Sequence, residues 1–311
     1  FVPGFQSQRN DTASFTQTFS SRGAGDAGDG RNVLVLLDGQ RLNTDWSGGL
    51  YLANGIINLD KIERVEFIRG PGSAIYGSNA FMGIINLVSQ AENEAQVSLG
   101  SLNGSGTVSQ ASVQWQQQFN NVHTELFAHF INDEGQRLKI IDPFKDTMVN
   151  TRDPYQFKEI YLKANHQNLS LSVYHSVTQA QEFYVLGFVS NDENLLDATS
   201  SFVDVKYENS INNNITLNAK ASLARKRFDI AGIISPALPP NELGIKGEIE
   251  EQEPQVELTL GYLGNDNQKA LAGIEWRRPK IIDSDANLFG ALDLYLSQAP
   301  LSHRTIYGLF A

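Results

Sequence analysis

The sequence predicts a mainly β protein in which a small α/β domain precedes a long series of antiparallel strands of the membrane-barrel type. Three observations predict this fold. Residues 62–89 have a strand–turn–strand pattern, apolar and polar residues alternate with a period of two from residue 94 onwards, and short and long polar breaks separate the alternating segments. Together they divide the chain near residue 90.

Composition limits the functions that the chain can have. It has 311 residues, 41% of them hydrophobic, and a formal net charge of −11, which argues against a nucleic-acid partner because such sites need a basic surface. The absence of cysteine excludes a disulfide framework. No apolar run approaches the ~20 residues of a membrane helix, and barrel strands need none. The chain begins at Phe1 without a signal peptide and is expected to be mature or truncated.

The stretch Ile62–Ser89 organises the first third of the chain. Gly70-Pro71-Gly72 should end its first strand, because proline fixes φ and glycine tolerates positive φ. Ile84–Val88 predicts a second strand that is too apolar to face water on both sides. Just upstream, the D-x-x-E spacing predicts one helical turn over Leu59–Glu63. Physics alone predicts a small α/β module without chemistry of its own.

The same residues resemble the plug-domain signature of TonB-dependent outer-membrane receptors. Ile62–Ser89, IERVEFIRGPGSAIYGSNAFMGIINLVS, matches that signature almost position for position. Val33–Asn43, VLVLLDGQRLN, resembles the plug strand that precedes it, and Phe19–Gly23, FSSRG, resembles the arginine-glycine element before that. Met82 departs from the pattern, since the family usually has a small residue there, and we expect this to affect packing only.

The resemblance implies a fold and a function. It implies a plug domain over residues 1–90 and the first part of a 22-strand-type barrel over residues 91–311, in the outer membrane of a Gram-negative bacterium. It implies uptake of a scarce large solute, such as a ferric siderophore, haem or a cobalamin-like molecule. The expected partners are the TonB complex, outer-membrane lipid and a small-molecule or metal-chelate ligand. The N-terminal segment on which TonB pulls is not recognisable. The alternatives are a passive porin or adhesin barrel and a soluble β-rich binding protein.

Alternation after residue 94 predicts about eleven strands. In one of them Leu169, Leu171 and Val173 alternate with serines, so that one face is apolar and the other polar. We place the strands near 94–102, 107–119, 121–131, 155–165, 169–178, 201–211, 214–228, 255–263, 268–277, 287–297 and 303–311. An odd count and a last segment that stops mid-pattern predict an incomplete barrel, whose first and last strands do not pair.

Loop lengths indicate a membrane barrel rather than a soluble sandwich. Short breaks alternate with long ones, as periplasmic turns alternate with external loops in barrels. The short breaks are 120–121, 166–168, 212–214, 264–267 and 298–301, and the long ones are 132–153, 179–200, 229–254 and 278–287. We expect Asn132–Asp153 and Gln179–Ser200 to be extracellular loops that help to capture a ligand.

Seven residues are candidates for functional contacts. Arg22 and Arg69 match the two family arginines that pair with barrel glutamates, and a buried unpaired guanidinium would cost several kcal/mol. The alternative is that each bonds to carbonyls near its own turn. The remaining candidates are aromatic residues on predicted loops, suited to ligand stacking or to packing against the plug or barrel wall: Trp46, Tyr51, Phe183, Tyr184 and Phe188.

Enzymatic and metal chemistry is not predicted. Gly23–Gly28 matches GxGxxG, but it precedes a strand instead of following one, and its aspartates would repel a pyrophosphate. The five histidines have no metal-ligand spacing, and no nucleophile elbow occurs. An acidic run (Glu248, Glu250, Glu251 and Glu253) falls in a predicted loop, where such runs are usually solvated. We therefore predict no catalytic residues, no cofactor and no metal.

Overall fold

The computed structural model describes residues 5–9, 17–21, 32–49, 58–70, 72, 76, 78–90, 92–101, 106–135, 137–185, 188–235, 243–264, 268–290, 294–295 and 303–310. These residues form a small mixed sheet, a large antiparallel sheet and two separate hairpins. The first hairpin pairs β1 (Phe5–Arg9) with β2 (Gln17–Ser21). Among the described residues, no helix has the length and apolarity required to cross a membrane.

The small sheet confirms the predicted α/β module. Its strands are β3 (Val33–Leu37), β4 (Gln40–Arg41), β5 (Ile62–Arg69) and β6 (Gly83–Ser89), in the order β4-β3-β6-β5. β3 and β6 are parallel, and the other pairs are antiparallel. We call residues 32–90 the small domain.

A short 3₁₀ helix, Leu59–Lys61, precedes β5 where the sequence predicts one helical turn. Its N-cap is Asn58, whose side-chain oxygen accepts the Asp60 amide at 2.7 Å. The D-x-x-E pair therefore does not form the cap. This helix places Lys61 at the interface between the small domain and the large sheet, which is described below.

The large sheet follows the small domain. Its strands are β7 (Glu94–Ser101), β8 (Thr107–Phe119), β9 (Val122–Asp133), β12 (Tyr155–His166), β13 (Leu169–Val185), β14 (Phe188–Ser210), β15 (Ile215–Ser235), β16 (Leu243–Leu263), β17 (Lys269–Arg277), β18 (Lys280–Gly290), β19 (Leu294–Tyr295) and β20 (Ile306–Phe310). β10 (Lys139–Asp142) and β11 (Thr147–Asn150) form a separate hairpin between β9 and β12. Among the described residues, the edge strands β7 and β20 do not pair with each other, as predicted.

Three of the four predicted long loops are wrong, because the backbone there continues as strand. Gln179–Ser200 belongs to β13 and β14, Asp229–Pro254 largely to β15 and β16, and Arg278–Asn287 largely to β18. Beyond the zone where outward residues must be apolar, the alternation disappears although the hydrogen-bonded ladder continues. Of the four predicted loops, only Asn132–Asp153 leaves the large sheet, after Asp133 at the end of β9, and it carries the β10–β11 hairpin.

Pro254 explains why only the second half of strand β16 was predicted, near 255–263, and the first half was assigned to a loop. Proline cannot donate to a sheet ladder and is expected only where pairing is interrupted. Here β17 pairs with β16 from Gln255 onwards and β18 pairs with it up to Gln252. Pro254 lies opposite the break between β17 and β18, where its carbonyl accepts the Arg278 amide at 3.1 Å. β17 and β18 thus form one interrupted strand along the same edge of β16, and the predicted strand 287–297 covers only the end of β18 together with β19, which pairs with β18.

The large sheet has inverted polarity. One face exposes a continuous belt of large apolar side chains, including Val113, Phe130, Ile160, Leu162, Leu171, Val203, Val205, Leu223, Val256, Leu258, Leu260 and Ile274. The opposite face is buried and largely polar, as Ser172, Ser176, Ser222 and Thr259 show. Near the short turns the belt ends in exposed aromatic residues, Phe119, Tyr207 and Tyr262. This is the pattern of a membrane barrel wall with an aromatic girdle.

The small domain packs on the buried face of the large sheet. Val33, Val35 and Leu37 of β3 contact an aromatic cluster of the large sheet, which consists of Phe127, Tyr161, Tyr174 and Phe202. The other face of β3 packs against Ala80 and Ile84. A strand buried on both faces must be apolar throughout, which explains the VLVLL sequence.

We expect Leu258→Arg, at the middle of the apolar belt, to weaken membrane insertion by about 2–4 kcal/mol, because the guanidinium would face hydrocarbon. Ile211→Arg, in a short turn beside the belt, is the matched control and should cost about 0–1 kcal/mol. Equilibrium unfolding in lipid vesicles measures both. Equal losses for the two variants would contradict the assignment of this face to lipid.

Candidate functional site

Lys61 forms the most enclosed contact between the small domain and the large sheet. Its side chain is 1% exposed, its ammonium pairs with the Glu159 carboxylate of β12, and it lies 4.9 Å from the Phe127 ring centroid and 5.4 Å from that of Tyr174. Burial lowers the pKa of Lys61 from its ordinary value, and Glu159 offsets part of that effect. The aromatic faces stabilise the desolvated cation.

A second contact centres on the Asp38 carboxylate in the turn between β3 and β4. Asp38 and Gly39 both have positive φ, 47° and 78°, as a two-residue hairpin turn requires. The carboxylate accepts the Tyr161 hydroxyl at 2.6 Å and the Ser89 amide at 2.9 Å, and it lies 3.4 Å from the Lys163 ammonium. Burial alone would raise the pKa of Asp38, but Lys163 and these hydrogen bonds outweigh it and hold the pKa below its ordinary value.

Lysines of the large sheet also bind the main chain of the small domain. Lys220 donates to the Gly39 carbonyl at 2.8 Å, Lys226 to the Asn43 carbonyl at 2.7 Å, and Lys206 to the Asp38 carbonyl. Each satisfies a carbonyl oxygen that would otherwise be buried in a polar interface without a partner. The contacts depend on the path of the backbone of the small domain rather than on its side chains.

Arg41 connects two motifs that are separated in the sequence, the DGQRL stretch and the YGSN turn. Its guanidinium donates to the Tyr76 and Ser78 carbonyls at 2.9 and 2.8 Å and to the Asn79 side chain at 3.1 Å. The arginine of the DGQRL stretch therefore holds the YGSN turn of the second motif. Burial and the nearby Arg277 lower the pKa of Arg41 to about 10.

The loop that carries Trp46 meets the large sheet away from the short turns. The Asp45 and Trp46 amides donate to the Glu251 carboxylate at 2.8 and 3.2 Å, and the Asp45 carboxylate lies 2.6 Å from Arg304. The Trp46 ring lies 6.1 Å from that of Phe228. This loop lines a cavity of about 250 Å³. The cavity is bordered by Asp45, Trp46, Glu251, Pro279, Lys280, Ile281, His303 and Arg304.

A second cavity, of about 370 Å³, lies between the small domain and the large sheet nearer the short turns. Apolar residues of β3 border one side of it, and charged residues of the large sheet, including Lys206, Lys220 and Glu257, border the other. The interface between the two parts is therefore not closely packed everywhere. Among the described residues, no group of acidic and histidine side chains is arranged to hold a metal ion.

The acidic run corrects a sequence interpretation. Glu250, Glu251 and Glu253 lie in β16 and are buried rather than solvated in a loop. Glu251 binds the Trp46 loop and Glu253 lies 3.0 Å from Arg277. The sequence does contain a pattern that indicates this burial, because Glu251, Glu253 and Gln255 alternate in step with the inward-facing Thr259. Pro254 interrupts the apparent strand, so the pattern was not recognised.

The structure describes only some of the predicted site residues in detail. Trp46 borders the 250 Å³ cavity. Arg69 is exposed at the end of β5 and makes no ion pair with the large sheet among the described residues, so its pairing stays a prediction. Arg22 and Tyr51 lie outside the described residues. The other three aromatic candidates lie on strands at the tip of the β13–β14 hairpin rather than on a loop: Phe183, Tyr184 and Phe188.

This fold and interface define a β-barrel wall with a small domain packed against its polar inner face. Comparison with known proteins agrees. Residues 1–84 match the family of TonB-dependent receptor plug domains. The chain is 27% identical over 277 residues to the vitamin B12 transporter BtuB of Vibrio vulnificus. The aligned region covers 84% of this chain and 41% of that protein. Residues 1–84 thus match the TonB-dependent receptor plug domain, and the chain as a whole has the fold of the solved structures described next.

Solved structures show the same fold. The ferric citrate transporter FecA superposes with a TM-score of 0.73 at 10% identity, over 98% of this chain and 48% of that one. The ferric yersiniabactin uptake receptor FyuA of Yersinia pestis gives a TM-score of 0.65 at 16% identity, over 98% and 48%. The chain thus spans less than half the length of each of these relatives.

We expect Lys61→Met to destabilise the folded protein by about 3–5 kcal/mol, because it leaves the Glu159 carboxylate buried without its partner. The double variant Lys61→Met/Glu159→Gln should recover much of that loss. Arg64→Met, which removes two exposed ion pairs, with Glu63 and Glu66, is the control and should cost at most about 1 kcal/mol. Chemical unfolding of the wild type, Lys61→Met, Glu159→Gln, the double variant and Arg64→Met measures the coupling, and purely additive losses at Lys61 and Glu159 would contradict it.

Because the pKa of Asp38 is lowered on folding, its stabilising contribution should be complete above the unfolded pKa of about 4 and be lost as the pH falls through the folded value. The difference in unfolding free energy between the wild type and Asp38→Asn should therefore shrink below about pH 4. Unfolding measured from pH 3 to 7 tests this, with Asp146→Asn in an exposed turn as the control. A difference that grows towards low pH would show that the sign is wrong.

Proposed function

We propose that this chain is the plug and part of the barrel wall of an outer-membrane receptor that takes up a scarce, large solute with energy from the TonB complex. We assign residues 1–90 to the plug and residues 91–311 to the wall. The solute is of the ferric siderophore, haem or cobalamin class. The partners are the TonB complex, outer-membrane lipid and that ligand, and the proposed location is the outer membrane of a Gram-negative bacterium.

The observation that carries the proposal is the inverted polarity of the large sheet together with what covers its inner face. An apolar outer belt suits lipid, whereas a soluble binding protein would expose its polar face to water. The inner face is occupied by a separate domain bound through Lys61, Asp38 and Asp45. A passive porin has no need of such an obstruction. Transport through this chain therefore requires the small domain to move or rearrange, which is work that an external energy source would do.

The ligand site that the geometry favours is the 250 Å³ cavity beside Trp46. It lies where the small domain meets the long ends of the strands, away from the short turns. Its aromatic ring and the exposed His303 and Arg304 side chains provide stacking and hydrogen bonds to a polar ligand. The aromatic residues at the tip of the β13–β14 hairpin, Phe183, Tyr184 and Phe188, extend the same end of the molecule. We assign no catalytic role to any of these groups.

Two routes through the interface follow from the contacts. Either the small domain leaves as a unit, which breaks the Lys61–Glu159 pair, or it opens locally towards the 370 Å³ cavity, which keeps that pair. A disulfide between introduced cysteines at Lys61 and Glu159 distinguishes these routes, because the chain has no cysteine of its own. Loss of uptake that a reductant restores would support movement as a unit.

Uptake assays with the full-length protein test the proposal. It should support accumulation of one of four radiolabelled probes (ferric enterobactin, ferric citrate, haem or cyanocobalamin) in a receptor-deficient Gram-negative strain, and deletion of TonB should abolish that accumulation. Trp46→Ala should weaken binding by about 1–3 kcal/mol if the ring stacks on the ligand. Val97→Ala, in exposed strand β7, is the control. Accumulation that persists without TonB would favour the passive barrel.

A further inference from the structure

The two cavities of the interface follow each other along the same two strands of the large sheet. On β16, Glu251 borders the 250 Å³ cavity and Gln255 borders the 370 Å³ cavity. On the neighbouring strand Glu275 borders the larger cavity, and Pro279, just beyond the end of β17, borders the smaller one. Glu251 and Gln255 are separated by roughly 14 Å at 3.4 Å per residue, and inward side chains recur at every second position. A single row of inward side chains therefore separates the two cavities.

Four side chains fill that row, and we call them the Arg277 layer: Glu253, Arg277, Ser78 and Asp45. The guanidinium of Arg277 is 1% exposed and lies 3.0 Å from the Glu253 carboxylate. It donates to the Ser78 hydroxyl at 3.1 Å and lies 3.4 Å from the Asp45 carboxylate. Glu253 and Arg277 belong to the large sheet, and Ser78 and Asp45 belong to the small domain. The layer thus joins the two parts of the molecule exactly where the cavities would otherwise meet.

The layer closes the interface with side chains alone. The strands of the small domain and those of the large sheet form separate sheets, so no backbone ladder crosses the layer. The Arg277 Nε atom has no hydrogen-bond partner among the described residues and lies 3.6 Å from the Glu275 carboxylate. A buried polar network that is only partly satisfied is less stable than a complete one. A change in the Arg277 side chain would therefore separate the two parts here without unfolding either of them.

Both spaces beside the layer are polar. The 370 Å³ cavity is bordered by Lys220 and Glu257 and by Asn218, whose buried Oδ1 atom has no hydrogen-bond partner among the described residues. The 250 Å³ cavity is bordered by His303 and Arg304, which are exposed. Cavities of this size and polarity have room for several water molecules. The layer is thus a thin barrier between two hydrophilic spaces, of which one lies nearer each end of the large sheet.

Asp45 connects the layer to the cavity beside Trp46. Its carboxylate is shared between two arginines, because it lies 3.4 Å from buried Arg277 and 2.6 Å from exposed Arg304. A ligand that binds Arg304 in that cavity competes with Asp45 for the same guanidinium. The position of Asp45, and with it one of the contacts of Arg277, would then depend on whether the cavity is occupied.

We propose that the Arg277 layer is the gate of a preformed passage for polar solutes along the inner face of β16 and β17. When the layer opens, the two cavities join into one hydrophilic path between the small domain and the large sheet. This inference rests on the proposed function, because it requires the large sheet to be a membrane wall. The gate uses neither Arg22 nor Arg69, the two arginines that the sequence analysis selected for contacts with the wall.

Currents through the full-length protein in planar lipid bilayers test the gate. The wild type should show no current steps. The double variant Arg277→Met/Glu253→Gln removes the gating pair together and should gain stepwise currents. The matched control is Lys61→Met/Glu159→Gln, which removes an equally buried pair of the same interface that borders neither cavity. It should show no steps. Equal currents in the two double variants would mean general loosening of the small domain and would overturn the gate.

A single cysteine shows whether the current follows the predicted path, since the chain has no cysteine of its own. Asn218→Cys is introduced into the gate variant, where it borders the 370 Å³ cavity. Modification with the anionic reagent methanethiosulfonate ethylsulfonate should lower the current. A current that modification leaves unchanged would show that ions pass elsewhere, for example because the small domain has left as a whole, and would contradict the gate.

An insertion control separates failure of the gate from failure of the proposed function. Leu171→Cys, in the apolar belt, is labelled with a fluorophore, and brominated acyl chains should quench it if the large sheet spans the bilayer. Quenching at position 171 without current in the gate variant would overturn the gate and leave the membrane location intact. Absence of quenching would refute the membrane location and the gate with it. Because the bilayer contains no TonB, energy coupling is tested separately by the uptake assays.

Discussion

The structure depends on one constraint: the large sheet turns its polar face inwards, and the buried polar side chains of that face need hydrogen-bond or ion-pair partners. A sheet whose outer surface is apolar places serine, threonine, lysine and glutamate side chains in its interior, where unpaired polar groups are costly. The small domain provides the partners. Its turn carbonyls accept hydrogen bonds from Lys206, Lys220 and Lys226, and its own Lys61 pairs with Glu159.

The interface combines two kinds of contact with different physical consequences. The aromatic cluster of the large sheet packs against β3 and stabilises the interface by burying apolar surface. This contribution is non-directional. The buried ion pairs are specific, because each cation removed from its partner leaves an uncompensated charge. Lys61 belongs to both kinds, since it lies over the Phe127 and Tyr174 rings and pairs with Glu159. A domain held in this way has one well-defined position and a high cost for leaving it.

The two cavities show where that interface is weakest. One lies beside Trp46 and opens away from the short turns, and the other lies between β3 and the lysines nearer the short turns. The Lys163–Asp38 and Lys61–Glu159 ion pairs lie on another strand of the large sheet, β12, and close the interface there. Local movement of the small domain towards its cavities would disturb fewer buried charges than displacement of the whole domain. This asymmetry links the packing of the interface to the transport that we propose.

The sequence alone determined the class of fold and the existence of two parts. Strand β3 could be predicted because burial on both faces requires an uninterrupted apolar run, and the belt could be predicted because lipid requires apolar residues at every second position. The full length of strands β13 to β16 could not be predicted. Beyond the apolar belt the outward residues no longer face lipid, so they need not be apolar and the alternation disappears. The roles of Glu251 and Lys61 were also inaccessible, since each is defined by a partner far away in sequence. Only the tertiary structure brings those partners together, because pairing a buried charge is a property of the assembled interface and not of any local stretch.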